Sequence, residues 1–321
     1  MHTLGIVGLG HLGEIHLKQW LEILPKTSIS CFDNDEEKLK VISEKYQVNS
    51  TVSYDELLRQ STIIDVVTPT DSHHYYAALA LKHQKHVFIE KPVCTNMAEV
   101  EDLIALQNES KTIVQIGHVE RYNPAFQSVK DVIKNPKFFE VHRLAPFVAR
   151  GTEVSVIMDL MIHDLDIILS LVDSPIKDIA AKGVAILSRT PDIANVRLEF
   201  ENGCVANLTA SRISMKKMRK MRVFSDDGYT AIDFLDKSAE KMIISELGEG
   251  IPFITNEGKE KRLELKSYDK LDKNAIFEEL DEFYKIIKQG ATSPTIDLLS
   301  ASKTMNLAIR IQESLGLTDS N

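Results

Sequence analysis

Residues 3–7 make a short strand-like run that ends in Gly8-Leu9-Gly10-His11-Leu12-Gly13, and a helical pattern through Leu17 and Leu21 follows. A G-x-G-x-x-G loop between a strand and a helix constrains a chain to a crossover unit, a parallel sheet and a site for a diphosphate. Gly8 permits the tight turn, Gly10 lets backbone approach the anion, and Gly13 allows close packing of helix on strand. His11 and Leu12 fill the rest of this expected cofactor-binding loop. Twenty residues past Gly13, after the strand-like residues 28–32, stands Asp33. A carboxylate there accepts hydrogen bonds from a ribose 2′-hydroxyl and repels a 2′-phosphate, which favours NAD over NADP. Asp33 also opens the acidic run Asp33-Asn34-Asp35-Glu36-Glu37, where it can serve a helix start. The two roles are compatible.

Strand-like residues 63–67, 87–90 and 113–117 alternate with helical residues 35–45, 74–83 and 97–108. That alternation predicts a parallel Rossmann sheet over residues 1–120. Its most informative stretch is Val87-Phe88-Ile89-Glu90-Lys91-Pro92. A buried strand ends at a lysine and a proline turns the chain out, so Lys91 stands where ligands of such sheets sit. Beyond residue 136 the pattern changes to longer alternating runs at 138–144, 196–200, 205–211, 221–225 and 230–234. Asn202-Gly203 and Asp226-Asp227-Gly228 supply hairpin turns. A mostly antiparallel open sheet with helices on one face is predicted, giving an α+β domain over 121–321. Helices over 275–289 and 297–315 close the chain, and the last can pack back on the first domain.

The net charge of −9 opposes nonspecific nucleic-acid binding, and no apolar run approaches a membrane span. Cys31, Cys94 and Cys204 are odd in number and scattered, which suggests neither a disulfide framework nor a metal site. With no basic-then-apolar stretch ahead of the first strand, a cytoplasmic location is expected.

A helix over 155–172 carries a second chemical signal. At 100° per residue, Asp159, His163, Asp166 and Ser170 share one stripe, and Asp164 points almost oppositely among apolar residues. The stripe reads equally as a solvated face or as a site. Asp164 reads as a buried carboxylate held for architecture.

Taken together, Gly8–Gly13, Thr68-Pro69-Thr70 with His73, Lys85-His86-Val87 leading to Glu90-Lys91-Pro92, and Asp159 with His163-Asp164 resemble one family. It is the glucose–fructose oxidoreductase/inositol dehydrogenase (Gfo/Idh/MocA) family of sugar dehydrogenases. The resemblance implies a Rossmann domain followed by an α/β domain that covers substrate and makes homodimer or homotetramer contacts through its sheet. It implies that Lys91 hydrogen-bonds the reacting hydroxyl, that His163 takes the proton, and that Asp159 orients substrate or imidazole. Thr68, Pro69 and His73 would line the cofactor side, and Glu90 would contact the nicotinamide ribose, beside Lys91.

The run Gly117-His118-Val119-Glu120-Arg121-Tyr122-Asn123-Pro124 departs from the family's usual asparagine-bearing segment. Val119 makes no polar contact, so His118 or Glu120 would replace that asparagine. The run is similar to that of a subgroup, the UDP-N-acetylglucosamine 3-dehydrogenases, which implies His118, Glu120, Arg121, Tyr122 and Asn123 as substrate residues. A UDP-sugar needs cations for its diphosphate; Arg121, Arg150 and the basic residues 216–220 are the candidates. Two rival readings are a dehydrogenase of a free sugar, inositol or sugar acid, and a dinucleotide-sensing regulator without catalysis.

Overall fold

Short apolar runs, buried nearly from end to end, build the first sheet, apart from one exposed two-residue edge strand. Strands β1 (Leu4–Val7), β2 (Ile29–Phe32), β3 (Asn49–Ser50), β4 (Ile63–Val66), β5 (His86–Glu90) and β6 (Val114–Gly117) lie parallel in the order β3-β2-β1-β4-β5-β6. Every residue of β1, β4 and β6 is buried, as strands covered on both faces must be. The crossovers are α1 (His11–Ile23), α2 (Glu36–Tyr46), α3 (Tyr54–Gln60), α4 (His73–Lys82) and α5 (Met97–Ser110). Asp35, Ser53 and Asn96 cap α2, α3 and α5 by accepting from backbone N–H groups of their first turns. The order is that of the doubly wound dinucleotide-binding fold. The computed structural model describes all residues except 1, 149–153, 247, 248, 269, 270, 291, 292 and 318–321. The chain forms two compact units, Met1–Val119 with Asn274–Met305, and Glu120–Lys273 with Asn306–Asn321.

The second unit begins with α6 (Pro124–Val129) and β7 (Pro136–Leu144), then a π-helical turn (Ile157–Met161) that runs into α7 (Ile162–Leu171). Strands β8 (Ile176–Val184), β9 (Ile193–Phe200), β10 (Val205–Ser211), β11 (Met218–Ser225), β12 (Gly228–Asp233), β13 (Ser238–Ser245), β14 (Ile251–Ile254) and β15 (Glu260–Tyr268) follow. With β7 they make one sheet in the order β14-β15-β13-β12-β11-β7-β10-β9-β8. Its pairings are antiparallel except β7 with β10. Both sequence-predicted hairpins form: Gly203 takes φ +84 between β9 and β10, and Gly228 begins β12 opposite Ser225. Strands β8, β13, β14 and β15 are additional to those read from the sequence.

Alternation sorts this sheet into two faces. Phe139, Val141 and Arg143 of β7 are buried, and Arg143 meets Asp164 of α7, so this face carries the helix. Phe138, Glu140 and His142 take the other face, where they line an open concavity of about 760 Å³ with Asn195, Arg197 and Thr209.

The first unit is completed by α8 (Ala275–Gln289), whose Leu280, Phe283 and Ile287 join Leu17 and Trp20 of α1 in one core. Gln115 of β6 donates to the Glu279 carbonyl, and the Ile116 N–H to the Ile296 carbonyl. The first part of α9 (Leu298–Ser314), as far as Met305, also belongs here.

Candidate active site

The turn after β1 is shaped by what its glycines leave out. Gly8 holds φ +93, and a β carbon there would lie 2.7 Å from the Val67 carbonyl oxygen. At Gly13 a β carbon would stand 2.0 Å from the Gly8 oxygen, so α1 can approach the strand only without one. Gly10 meets nothing within 4 Å, leaving open space over the start of α1. Backbone donors and the positive end of the helix dipole face that space. At the end of β2, Asp33 is fixed by the Leu9 N–H (2.7 Å to Oδ2) and the Asp35 N–H (2.9 Å to Oδ1), with Lys38 Nζ 3.4 Å away. An open glycine cradle with an oriented carboxylate beside it fits the diphosphate and adenosine ribose of NAD. His11 and Leu12 lie exposed on the first turn of α1.

The other five expected cofactor residues, Thr68, Pro69, His73, Glu90 and Lys91, gather at the turns after β4 and β5. Thr68 accepts from the Ser72 hydroxyl (2.8 Å), and Pro69 is exposed. His73 is buried and spans two turns: Nδ1 is 2.9 Å from the Pro92 carbonyl oxygen and Nε2 is 2.8 Å from that of Thr68. Burial lowers its pKa, with the two carbonyls pulling the other way. It thus ties the Thr68-Pro69 turn to the Lys91-Pro92 turn.

Glu90 is 7% exposed, and its Oε2 accepts from the Lys91 N–H at 3.0 Å. Its Oε1 lies 3.1 Å from His16 Nε2, an ion-pair distance outside the alignment of a straight hydrogen bond. On the far side of the ring, His16 Nδ1 is 3.0 Å from Asp65 Oδ2, which also accepts from Trp20 Nε1 at 2.7 Å. Burial lowers the His16 pKa, but the two carboxylates outweigh it and raise it to about 10. Burial likewise raises Glu90, but His16 and Lys91 overcome it and hold the carboxyl below its ordinary range. The sequence gives little sign of this array: a histidine three residues past Gly13, and one aspartate within an apolar strand.

In the second unit, Asp159 lies within the π-helical turn and His163 in the first turn of α7. Single π turns recur at functional sites, and this one alters the 100° stepping assumed for a uniform helix. The predicted stripe therefore does not continue unbroken. Asp159 and His163 are half-buried, whereas Asp166 is buried and takes both Arg121 Nε (2.6 Å) and Nη2 (3.0 Å). Asp164 is the expected architectural carboxylate. Arg143 grips it through Nε and Nη2, each at 2.8 Å, and reaches Glu120 Oε1 with Nη1 at 2.8 Å.

The segment expected to read the substrate is therefore tightly framed. Glu120 is 5% exposed and Asn123 8%; Asn123 donates to Glu120 Oε2 (2.9 Å) and to the Phe234 carbonyl (3.1 Å). Tyr122 is buried here, and His118 is buried in the first unit. Arg219 of the basic run also meets Glu120 (3.4 Å), and Lys220 pairs with Asp233 (3.1 Å). Arg150 lies outside the described residues.

Comparison with known proteins agrees with this architecture. A family profile described as an oxidoreductase family with an NAD-binding Rossmann fold matches residues 2–118, and the GFO/IDH/MocA C-terminal domain matches 135–230. UDP-N-acetylglucosamine 3-dehydrogenase from Acidithiobacillus ferrooxidans is 36% identical over 235 residues, 73% of this chain and 74% of that one. A solved structure of that enzyme superposes with a TM-score of 0.88 over 98% of this chain and 97% of that one, at 29% identity. Myo-inositol 2-dehydrogenase from Thermotoga maritima is 24% identical over 307 residues, 89% and 88% of the two chains. The chain belongs to the Gfo/Idh/MocA family of oxidoreductases, and its first unit is that family's NAD-binding Rossmann domain.

Proposed function

We propose that this protein is an NAD-dependent dehydrogenase that oxidises a secondary hydroxyl of a sugar, namely the 3-hydroxyl of a UDP-linked N-acetyl sugar. The observation that carries this reading is the 36% identity, over 73% of the chain, to an enzyme that acts on UDP-N-acetylglucosamine. NAD, held by the Gly8–Gly13 loop and Asp33, would supply the hydride acceptor. Lys91, at the carboxyl end of β5, donates a hydrogen bond to the reacting oxygen and stabilises its negative charge as the C–H bond breaks. His163 takes the hydroxyl proton, and Asp159 orients the imidazole or the sugar. Thr68, Pro69, His73 and Glu90 shape the cofactor side. His118, Glu120, Arg121, Tyr122 and Asn123 form the segment that reads the substrate, with Glu120 and Asn123 held in its buried frame. The protein works in the cytoplasm as a homodimer or homotetramer, joined through the open face of the second unit's sheet.

The test mixes purified protein with NAD⁺ and a panel of UDP-linked N-acetyl sugars, free sugars and inositols while nicotinamide absorbance is followed. Reduction with UDP-N-acetylglucosamine alone is the expected result. Turnover of inositol or glucose instead would overturn the substrate and leave the chemistry. NADH binding with no turnover on any compound would favour a sensor.

A further inference from the structure

The mechanism above depends on where Lys91 projects, and the residue before it is held from three sides. Glu90 accepts from the Lys91 N–H at 3.0 Å. His16 lies 3.1 Å from its other oxygen. The third side is Gly117 of β6, where a β carbon would stand 2.7 Å from Glu90 Oε1. His16 is gripped in turn by Asp65 at 3.0 Å, and that carboxylate oxygen is fixed by the Trp20 indole at 2.7 Å. Phe88 closes an edge of the imidazole, with ring centroids 5.7 Å apart. His16 and Asp65 are fully buried. Both ring nitrogens face carboxylates, so the ring meets both only as a cation with a proton on each. A buried cation between two acids, at the root of the lysine turn, is costly to build unless its geometry is used.

We propose that His16 is a positioning residue: the Asp65–His16–Glu90 array locks the Glu90 carboxylate onto the Lys91 N–H and so sets the direction of the Lys91 side chain. His16 is sealed from solvent and takes no part in proton transfer. Without the imidazolium, Glu90 becomes a buried anion with a weakened hold on one oxygen, and the turn loses its fixed origin. This inference rests on the reading of Lys91 as the hydroxyl ligand.

The test compares His16→Gln, which keeps a donor without the charge, with Glu90→Gln and the double variant. Amide exchange at Lys91 reports the turn directly. An NADH fluorescence titration counts competent sites, and kcat and KM are measured per site. In His16→Gln the Lys91 amide is expected to exchange about tenfold faster, from loss of order 1.4 kcal/mol of protection. The expected fall in kcat is about 10- to 100-fold, as for a displacement near 1 Å, with a smaller change in KM for NAD⁺. In the Glu90→Gln background the second substitution should add less than about twofold, because the two act as one unit. Unchanged Lys91 exchange in the folded variant, or losses that multiply in the double variant, would overturn the proposal. If the unaltered protein oxidises no sugar, the reading of Lys91 falls, and amide exchange alone decides on the array. Should His16→Gln fail to fold, Asp65→Asn, which loosens the ring without emptying its place, is judged by the same criteria.

Discussion

Each unit buries one cation between two carboxylates, and the two assemblies are built for different ends. In the first unit the cation is His16, between Asp65 and Glu90; in the second it is Arg143, between Asp164 and Glu120. Arginine stays charged at any accessible pH, and its fork binds Asp164 through two parallel bonds. Burial works against the Arg143 charge, yet its two acids raise its pKa further. Asp164 is raised by burial and by Glu120, with Arg143 opposing. Histidine is a weaker and reversible cation, charged here because two acids make it so. The arginine assembly joins a strand, a helix and the Glu120–Asn123 segment as a permanent frame. The histidine assembly stands beneath the residue proposed to hold the reacting oxygen. What differs is that raising the pH through about 10 discharges the first assembly and leaves the second charged.

The comparison can be sharpened by substitution. The largest effect is expected above the histidine assembly: Lys91→Ala should lower turnover by about 10²–10⁴ with NADH affinity little changed. Equal losses in both would make Lys91 a cofactor ligand only. Next, Arg143→Met leaves two acids buried without their cation and should destabilise the protein by about 3–5 kcal/mol in urea unfolding. Combining it with Asp164→Leu and Glu120→Leu should recover most of that loss, since a packed apolar trio replaces the charges. A triple variant as unstable as the single one would mean that the frame depends on polarity as such.

The assemblies should also part on a pH axis. The folded state holds the His16 proton to about pH 10, whereas an unfolded histidine releases it near the ordinary value of 6.5. Between these values the native state binds more protons, so this contribution is full below 6.5 and lost as pH rises through about 10. The groups facing His16 are Asp65 from β4 and Glu90 from β5, with Trp20 and Phe88 uncharged. Stability of the unaltered protein should therefore fall more steeply over this window than that of His16→Gln. Parallel curves would break the comparison. The smallest effect is expected at Asp33→Ala, which should weaken NAD roughly tenfold, the worth of one charged hydrogen bond, and narrow its advantage over NADP.

Much of this was legible in the chain. The Gly8–Gly13 loop and Asp33 sit where strand, turn and helix signals coincide, and β10 and α8 match their predicted limits. Local pattern decides such elements. The edge strand β14 and its neighbour β15 escaped because their residues are exposed or half-buried, which blurs the alternation a one-sided strand normally shows. The π turn escaped because an irregular step leaves no period to read. The partners of His16 and Arg143 escaped for a different reason: His16 and Asp65 are 49 residues apart, Arg143 and Glu120 23. One sequence contains the charges but not the register that pairs them. Arg121 is a sequence candidate for a diphosphate, and the partner its fork takes in the structure, Asp166, lies 45 residues away.

Gly117 has a consequence for how this protein can vary. Its backbone does not take the positive φ seen at Gly203 or Gly258, and neither of those glycines has an atom within 4 Å of an added β carbon. In a library of all single substitutions, those two turns should tolerate asparagine, while Gly117 should reject even alanine. The one methyl group excluded there keeps a carboxylate in the adjacent strand in place, so selection at Gly117 acts on the chemistry of its neighbour.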